Sequence, residues 1–246
     1  AVCGKDFSGL GTSDTTAQLA DARVFVSGVE VQNAAGRWVT VQLDQGKSWQ
    51  AGDVALLDYE DATGACKDTG TPETNNQITG VVPAGSYKAV RFAVGVPFAS
   101  NHSNNALATP PLNTPGMFWT WQGGYKFVRV DWSLGAGKRW NLHVGSTGCV
   151  SADKVTAPTE PCGNPNLARV SLAVADATNA SLQFDVGQLM AGVNMAKDTP
   201  STAPGCMSGP TEPVDCGGSW TALGMDFTTG LCQSDCSGQT AWSAVP

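Results

Sequence analysis

At 246 residues the chain has room for one large all-β domain or two ordinary ones. Its formal net charge of −7, from 21 acidic against 14 basic residues, excludes nucleic acid as a partner, because neutralising phosphates takes a basic stripe. The same charge gives no attraction to anionic lipid surfaces, and no apolar run approaches the ~20 residues of a membrane helix, so no membrane-spanning segment is expected.

In chain order, Ala1-Val2-Cys3-Gly4-Lys5 lacks the charged and apolar regions of an export signal, so the chain either has none or has lost it. Residues 14–22 have enough helix-compatible residues for two turns. Residues 23–31 are β-branched and alternating. After the turn-like Asn33-Ala34-Ala35-Gly36, residues 38–43 complete a hairpin. Residues 54–59 form a short apolar run, and residues 87–96 alternate with Val90, Phe92, Val94 and Val96 on one face. Residues 99–115 hold five asparagine or histidine side chains and three prolines in a long irregular connection, and ordered loops of that length are usually functional. Strand patterns return at 125–134, 140–144, 168–175 and 181–186, with one helical turn at 187–192. About eight or nine short strands at this spacing predict an all-β antiparallel β-sandwich with long loops. We expect a single domain over residues 1–246. From about residue 200 onward its Gly/Pro/Cys-rich tail would be stapled down by disulfides, for want of apolar residues to bury.

The cysteines set the compartment. There are eight: Cys3, Cys66, Cys149, Cys162, Cys206, Cys216, Cys232 and Cys236. An even count in Gly-, Pro- and Ser-rich sequence reads as a disulfide framework, and the absence of a CxxC pair removes zinc-ribbon spacing. The expected location is therefore periplasmic or secreted.

Chemistry-bearing residues are few. The two histidines are His102, in the Asn-rich loop, and His143, in Trp140-Asn141-Leu142-His143-Val144. In a strand, Trp140, Leu142 and Val144 share one face and His143 takes the other. Met117-Phe118-Trp119-Thr120-Trp121 is an aromatic cluster whose indoles either pack in a core or, if exposed, stack on sugar rings. That second option gives a carbohydrate-binding or adhesive module as the alternative. Asp58, Glu60 and Asp61 cluster before Cys66 without EF-hand spacing, a region where calcium is the only cation suggested. No nucleophile elbow, zincin helix, Walker loop or dinucleotide glycine pattern occurs, so the chain is not expected to be an enzyme.

Several stretches together resemble the MbnP family, also described as the four-Cys partner in a metallo-mystery pair. They are Ala55-Leu56-Leu57-Asp58-Tyr59-Glu60-Asp61 with Gly64 and Cys66, and Asn75 with Gly80-Val81-Val82-Pro83-Ala84-Gly85-Ser86-Tyr87. Gly95-Val96-Pro97-Phe98 with Asn101-His102 follows, then Pro111-Leu112-Asn113 and the run from Met117 to Phe127. Leu142-His143-Val144-Gly145-Ser146-Thr147-Gly148-Cys149 and Cys206-Met207-Ser208-Gly209-Pro210 complete the pattern. Cys3, Cys232 and Cys236 lie outside it. The resemblance implies an exported Cu(I) protein. It makes His102 and His143 the metal ligands and Trp119 or Trp121 the residue ring-opened to kynurenine. It also implies that a di-haem, cytochrome c peroxidase-like partner of the MbnH type carries out that oxidation. This chain has no CxxCH haem site of its own. Copper acquisition and copper homeostasis are the roles that follow, with the chain as substrate of the oxidation.

Overall fold

The computed structural model describes residues 3–245. Ala1 and Val2, at the head of the segment read for an export signal, lie outside the described residues, as does Pro246.

One long strand, Thr15–Asn33, organises the sandwich. Its first half, from Gln18 to Val24, pairs antiparallel with Val128–Gly135. Its second half, from Val26 to Asn33, pairs antiparallel with Tyr87–Val94. Within the pairing to Tyr87–Val94 the register shifts between Ser27 and Glu30, where Gly28 has φ +59°. A bulge at a glycine lets the strand bend within the one large sheet, because glycine enters the left-handed region without a Cβ clash. Outward from this strand lie Ala168–Ala173 beyond Tyr87–Val94, and Lys138–Val144 beyond Val128–Gly135. The opposite edge of the long strand carries Asp6–Leu10, Val54–Asp58 and Trp38–Thr40 in succession. The hairpin expected around Asn33 is present, with Gln32 opposite Trp38.

Two expectations are corrected. Residues 14–22 form no helix; all but the first belong to the long strand, where they pair on both edges. Ladder bonds on two sides outweigh a weak helical pattern. The tail is also held differently. The disulfides are Cys3–Cys66, Cys149–Cys162, Cys206–Cys216 and Cys232–Cys236, and the last two close within the tail. What fixes the tail is burial: Trp220, Leu223, Met225 and Trp242 enter the main core beside Trp132, Trp140 and Phe92. Helix Pro213–Ala222 supplies Trp220, and Gly205–Cys206 adds a parallel strand to Asn141 and Leu142.

The two faces of the strand pair Val128–Gly135 and Lys138–Val144 differ in chemistry. Val128, Val130, Trp132, Trp140, Leu142 and Val144 fill the core face. On the other face, register sets His143 beside Arg129, Arg129 beside Arg23, and Arg23 beside Asp58, four strands wide. Asp21 and Asp131 form a parallel row. A second apolar cluster, with Phe25, Leu56, Met117, Tyr125 and Phe127, seats the loop that closes over this polar face. Among the described residues no helix is long and apolar enough to cross a membrane.

Candidate metal centre

His143 inherits its position from the sheet. It sits in a strand paired on both edges, 8% exposed, with its side chain opposite the core. Its Nε2 lies 2.8 Å from Asp131 Oδ1, while Nδ1 is buried with no hydrogen-bond partner among the described residues. A carboxylate only accepts, so Nε2 carries the proton and Nδ1 presents a bare lone pair. The backbone around it is pinned from the tail, where Ser208 Oγ donates to the His143 carbonyl at 2.7 Å and accepts from Gly145 N at 3.0 Å.

His102 is placed by a loop. It ends the single helical turn Phe98–Asn101, and Phe98 packs on its ring at 5.1 Å between centroids. Asn101 orders the surroundings. Its Oδ1 accepts from Tyr125 N at 2.8 Å, so its Nδ2 must face Ser146 Oγ, at 3.2 Å, and His102 Nε2, at 3.1 Å. His102 Nε2 is therefore an acceptor, and Nδ1 donates to the Trp121 carbonyl at 2.9 Å. The two imidazoles thus hold opposite tautomers. Cys162 Sγ of the Cys149–Cys162 disulfide lies 3.5 Å from His102 Nε2. Gly124, at φ +73°, is required here, since a Cβ would stand 2.5 Å from Asn101 Oδ1.

The aromatic cluster separates its two indoles. Trp119 packs on His143, with ring centroids 6.4 Å apart, and Lys126 Nζ lies 5.9 Å from the Trp119 ring. The edge of the Trp119 ring fills the space where a side chain at Gly145 would begin. Trp121 instead contributes its backbone carbonyl to His102. Both indoles are half-buried, so they do not form the flat exposed platform that stacking on sugars needs. A chain of contacts joins the two sides: His102 to Asn101, Asn101 to Ser146, and neighbouring Gly145 to Trp119 and so to His143.

Burial, more than charge, holds both imidazoles below the usual histidine range. Burial pushes His143 below the usual histidine range, against the opposing pull of Asp131 and with help from Lys126 and Arg129. Burial likewise lowers His102, partly offset by the Trp121 carbonyl. The Asp131 carboxyl is pushed up by burial, but the His143 bond and Arg129 outweigh this and hold it below the usual carboxylate range. Lys126 falls to about 8, chiefly through burial and then through Arg129. A neutral imidazole with a free lone pair suits copper, and the bare Nδ1 of His143 is the buried polar atom that a metal ion would satisfy, whereas the His102 lone pair is taken by the Asn101 amide.

The carboxylates suggested for calcium do not converge. Asp61 Oδ1 accepts from Thr63 N and Oγ1, at 3.0 and 2.6 Å. Glu60 accepts from Ala62 N and Thr71 N, both at 3.0 Å, and Asp58 Oδ1 accepts from Glu60 N. Each carboxylate caps its own stretch of loop, and the calcium reading is set aside. Metal-compatible groupings among the described residues are His102 with Cys149 and Cys162, and Glu212 with Cys206 and Cys216. Their sulfurs are committed to disulfides. The residue that sequence reasoning missed is Asp131, whose signal is the alternation Val128-Arg129-Val130-Asp131-Trp132, with charges opposite the core.

The MbnP family model matches residues 1–208, a span that includes His102, Trp119, Asp131 and His143 and ends at Ser208. Among solved structures the fold matches MbnP from Methylosinus trichosporium with a TM-score of 0.81 and 29% sequence identity, covering 98% of this chain and 92% of that one. No curated protein sequence matches it. With the matched span covering most of the chain, the conclusion is direct: this chain belongs to the MbnP family.

Proposed function

We propose that the protein is an exported copper-binding protein that holds Cu(I) between His102 and His143. The observation that carries this reading is the buried Nδ1 of His143, a neutral nitrogen lone pair with no donor among the described residues to satisfy it. Leaving such a group empty costs about 1–3 kcal/mol, and a soft monovalent cation can use it directly. The His102 lone pair on Nε2 is engaged only by the Asn101 amide. Imidazole donors suit Cu(I), whereas structural zinc takes four ligands that locked disulfides do not supply.

Trp119 is the indole we assign to oxidation to kynurenine, because it packs on His143 while Trp121 offers its backbone to His102. Ring opening would expose an aryl amine as a further, weaker ligand. That chemistry falls to a di-haem, peroxidase-like partner of the MbnH type, and the chain is its substrate, with no catalytic role. The disulfide framework favours a periplasmic or secreted location, where copper acquisition or homeostasis is the role.

Cu(I) competition against a chromophoric chelator tests the proposal, comparing wild type with His102→Ala/His143→Ala. One tight copper ion, lost in the double variant, is expected. Equal and weak binding by both proteins would sink the copper reading. Peptide mapping of protein produced together with the di-haem partner should find the kynurenine mass change, one oxygen gained and one carbon lost, on Trp119; finding it on Trp121 reverses that assignment.

A further inference from the structure

The polar face holds more charge than two copper ligands require, and its arrangement has a direction. Asp131 Oδ1 faces His143 Nε2 at 2.8 Å. Its other oxygen, Oδ2, accepts from Arg129 Nε and Arg129 Nη2, each at 2.8 Å. Arg129 Nε also reaches Asp21 Oδ2 at 3.1 Å, and Asp21 Oδ1 accepts from Arg23 Nε at 2.8 Å. Asp21, Arg23 and Asp131 are 0%, 3% and 2% exposed, so water does not compete for these bonds. Arg23 Nη2 is anchored in turn on the Thr69 carbonyl, at 2.9 Å. The row runs across neighbouring strands whose register fixes each backbone.

We infer that Asp131 is a positioning residue for copper: clamped by Arg129, it holds the His143 proton on Nε2 and so makes Nδ1 the ligating atom. The inference rests on the copper reading for its purpose, and on geometry for its content. A histidine ligand works only through its unprotonated nitrogen, and which nitrogen that is follows from the bond made by the other one. Here the other bond goes to a carboxylate that cannot rotate away, because both of its oxygens are engaged. His102 provides the internal contrast, since its Nδ1 carries the proton and no carboxylate is among its partners.

The clamp makes one substitution unusually informative. In Asp131→Asn the amide has nearly the shape of the carboxylate, but its two ends are no longer alike. The two Arg129 donors require an oxygen, so the amide NH2 must turn toward His143 Nε2. That nitrogen then has to accept, and the proton moves to Nδ1, the atom meant for copper. An isosteric Asp→Asn exchange beside a histidine inverts the tautomer while leaving the geometry intact. Asp131→Ala removes the carboxylate without imposing the wrong tautomer. A purely structural role for Asp131 predicts that alanine is the more damaging change; a positioning role predicts that asparagine is.

The test uses copper-free, 15N-labelled protein and long-range 1H–15N correlation of its two imidazoles. Removing His102 by His102→Ala assigns the signals. Wild type should show His143 protonated at Nε2 and His102 protonated at Nδ1. In Asp131→Asn the His143 pattern should invert while that of His102 stays. Cu(I) affinity should fall by about 10–100-fold, and by less in Asp131→Ala. A His143 protonated at Nδ1 in wild type would overturn the inference without any variant, which also decides the matter should Asp131→Asn fail to fold. So would a folded Asp131→Asn that keeps the wild-type tautomer or the wild-type affinity. A wild type with the expected tautomers but no tight Cu(I) binding defeats the copper reading instead, so the two failures are distinguishable.

Discussion

The two histidines are placed by opposite kinds of structure. His143 stands in a strand with neighbours on both sides, and its orientation follows from register. His102 ends one turn of helix in an irregular loop, placed by Asn101, by the Trp121 carbonyl and by a nearby disulfide. The sheet side depends on the global core, while the loop side depends on a handful of local bonds. Damage to the core beneath the sheet side should appear mainly as lost stability, and damage to the loop side as lost affinity too.

The largest effect should come from the core under the sheet side. Trp140, 2% exposed, packs directly opposite the polar face. Trp140→Ala should cost about 3–5 kcal/mol in denaturant unfolding, with Cu(I) affinity of the folded fraction little changed. Equal loss of both would mean that the two sides are not separable.

Next comes the loop side. Replacing Cys149 and Cys162 by serine opens a bridge of sequence separation 13, beside His102 Nε2. Loop-closure entropy gives a cost of about 3 kcal/mol. In contrast to Trp140→Ala, Cu(I) affinity at temperatures where the variant is folded should fall as well. Unchanged affinity would show that Asn101 and Trp121 suffice to hold His102.

A smaller change tests the contact between the sides. A Cβ on Gly145 would lie 2.5 Å from Trp119 Cζ3 and 2.7 Å from the Tyr125 carbonyl oxygen. Gly145→Ala should therefore cost about 1–3 kcal/mol through overpacking and shift the fluorescence of Trp119. An unshifted spectrum would show that the indole does not depend on this seat.

The smallest expected effect is one of pH. Burial lowers both imidazoles from the usual value of 6.5, so the folded protein keeps its lone pairs where free histidine would begin to take up protons. Cu(I) affinity should be flat between about pH 7.5 and about pH 6.5 and decline only below that. The sign for stability follows from the same shift. The unfolded chain binds protons first, so the two histidines' stabilising contribution is complete above 6.5 and is lost as pH falls toward their folded values. A midpoint for copper release near 6.5 would show that burial does not tune the site.

The contrast also explains what could be read in advance. Strand alternation around Trp140, Leu142 and Val144 placed His143 opposite the core, because a period of two is a local property. The hairpin at Asn33 and the turn near residue 187 were legible for the same reason. The bonds of His102 were not, because they run to Asn101, Trp121 and Cys162, and spacing gives no measure of such approaches. The choice between Trp119 and Trp121 lay equally out of reach: alternation gives them one direction in an extended strand, whereas the strand stops at Thr120. Helix Pro213–Ala222 was hidden by Gly217 and Gly218, which lower its propensity, and with it the way in which Trp220 anchors the tail.

Ser208 gives the proposed copper site a place in time. The hydroxyl that fixes the His143 carbonyl and Gly145 N belongs to a residue 65 positions after His143. A chain still emerging from a ribosome or a translocation channel has both histidines long before it has Ser208, and before Trp220 can bond Asn166, which in turn holds the Gly145 carbonyl. The surroundings of His143 are therefore completed by residues that arrive well after it. On the proposed copper reading, copper met early finds flexible imidazoles, and the ordered pair awaits Ser208 and Trp220.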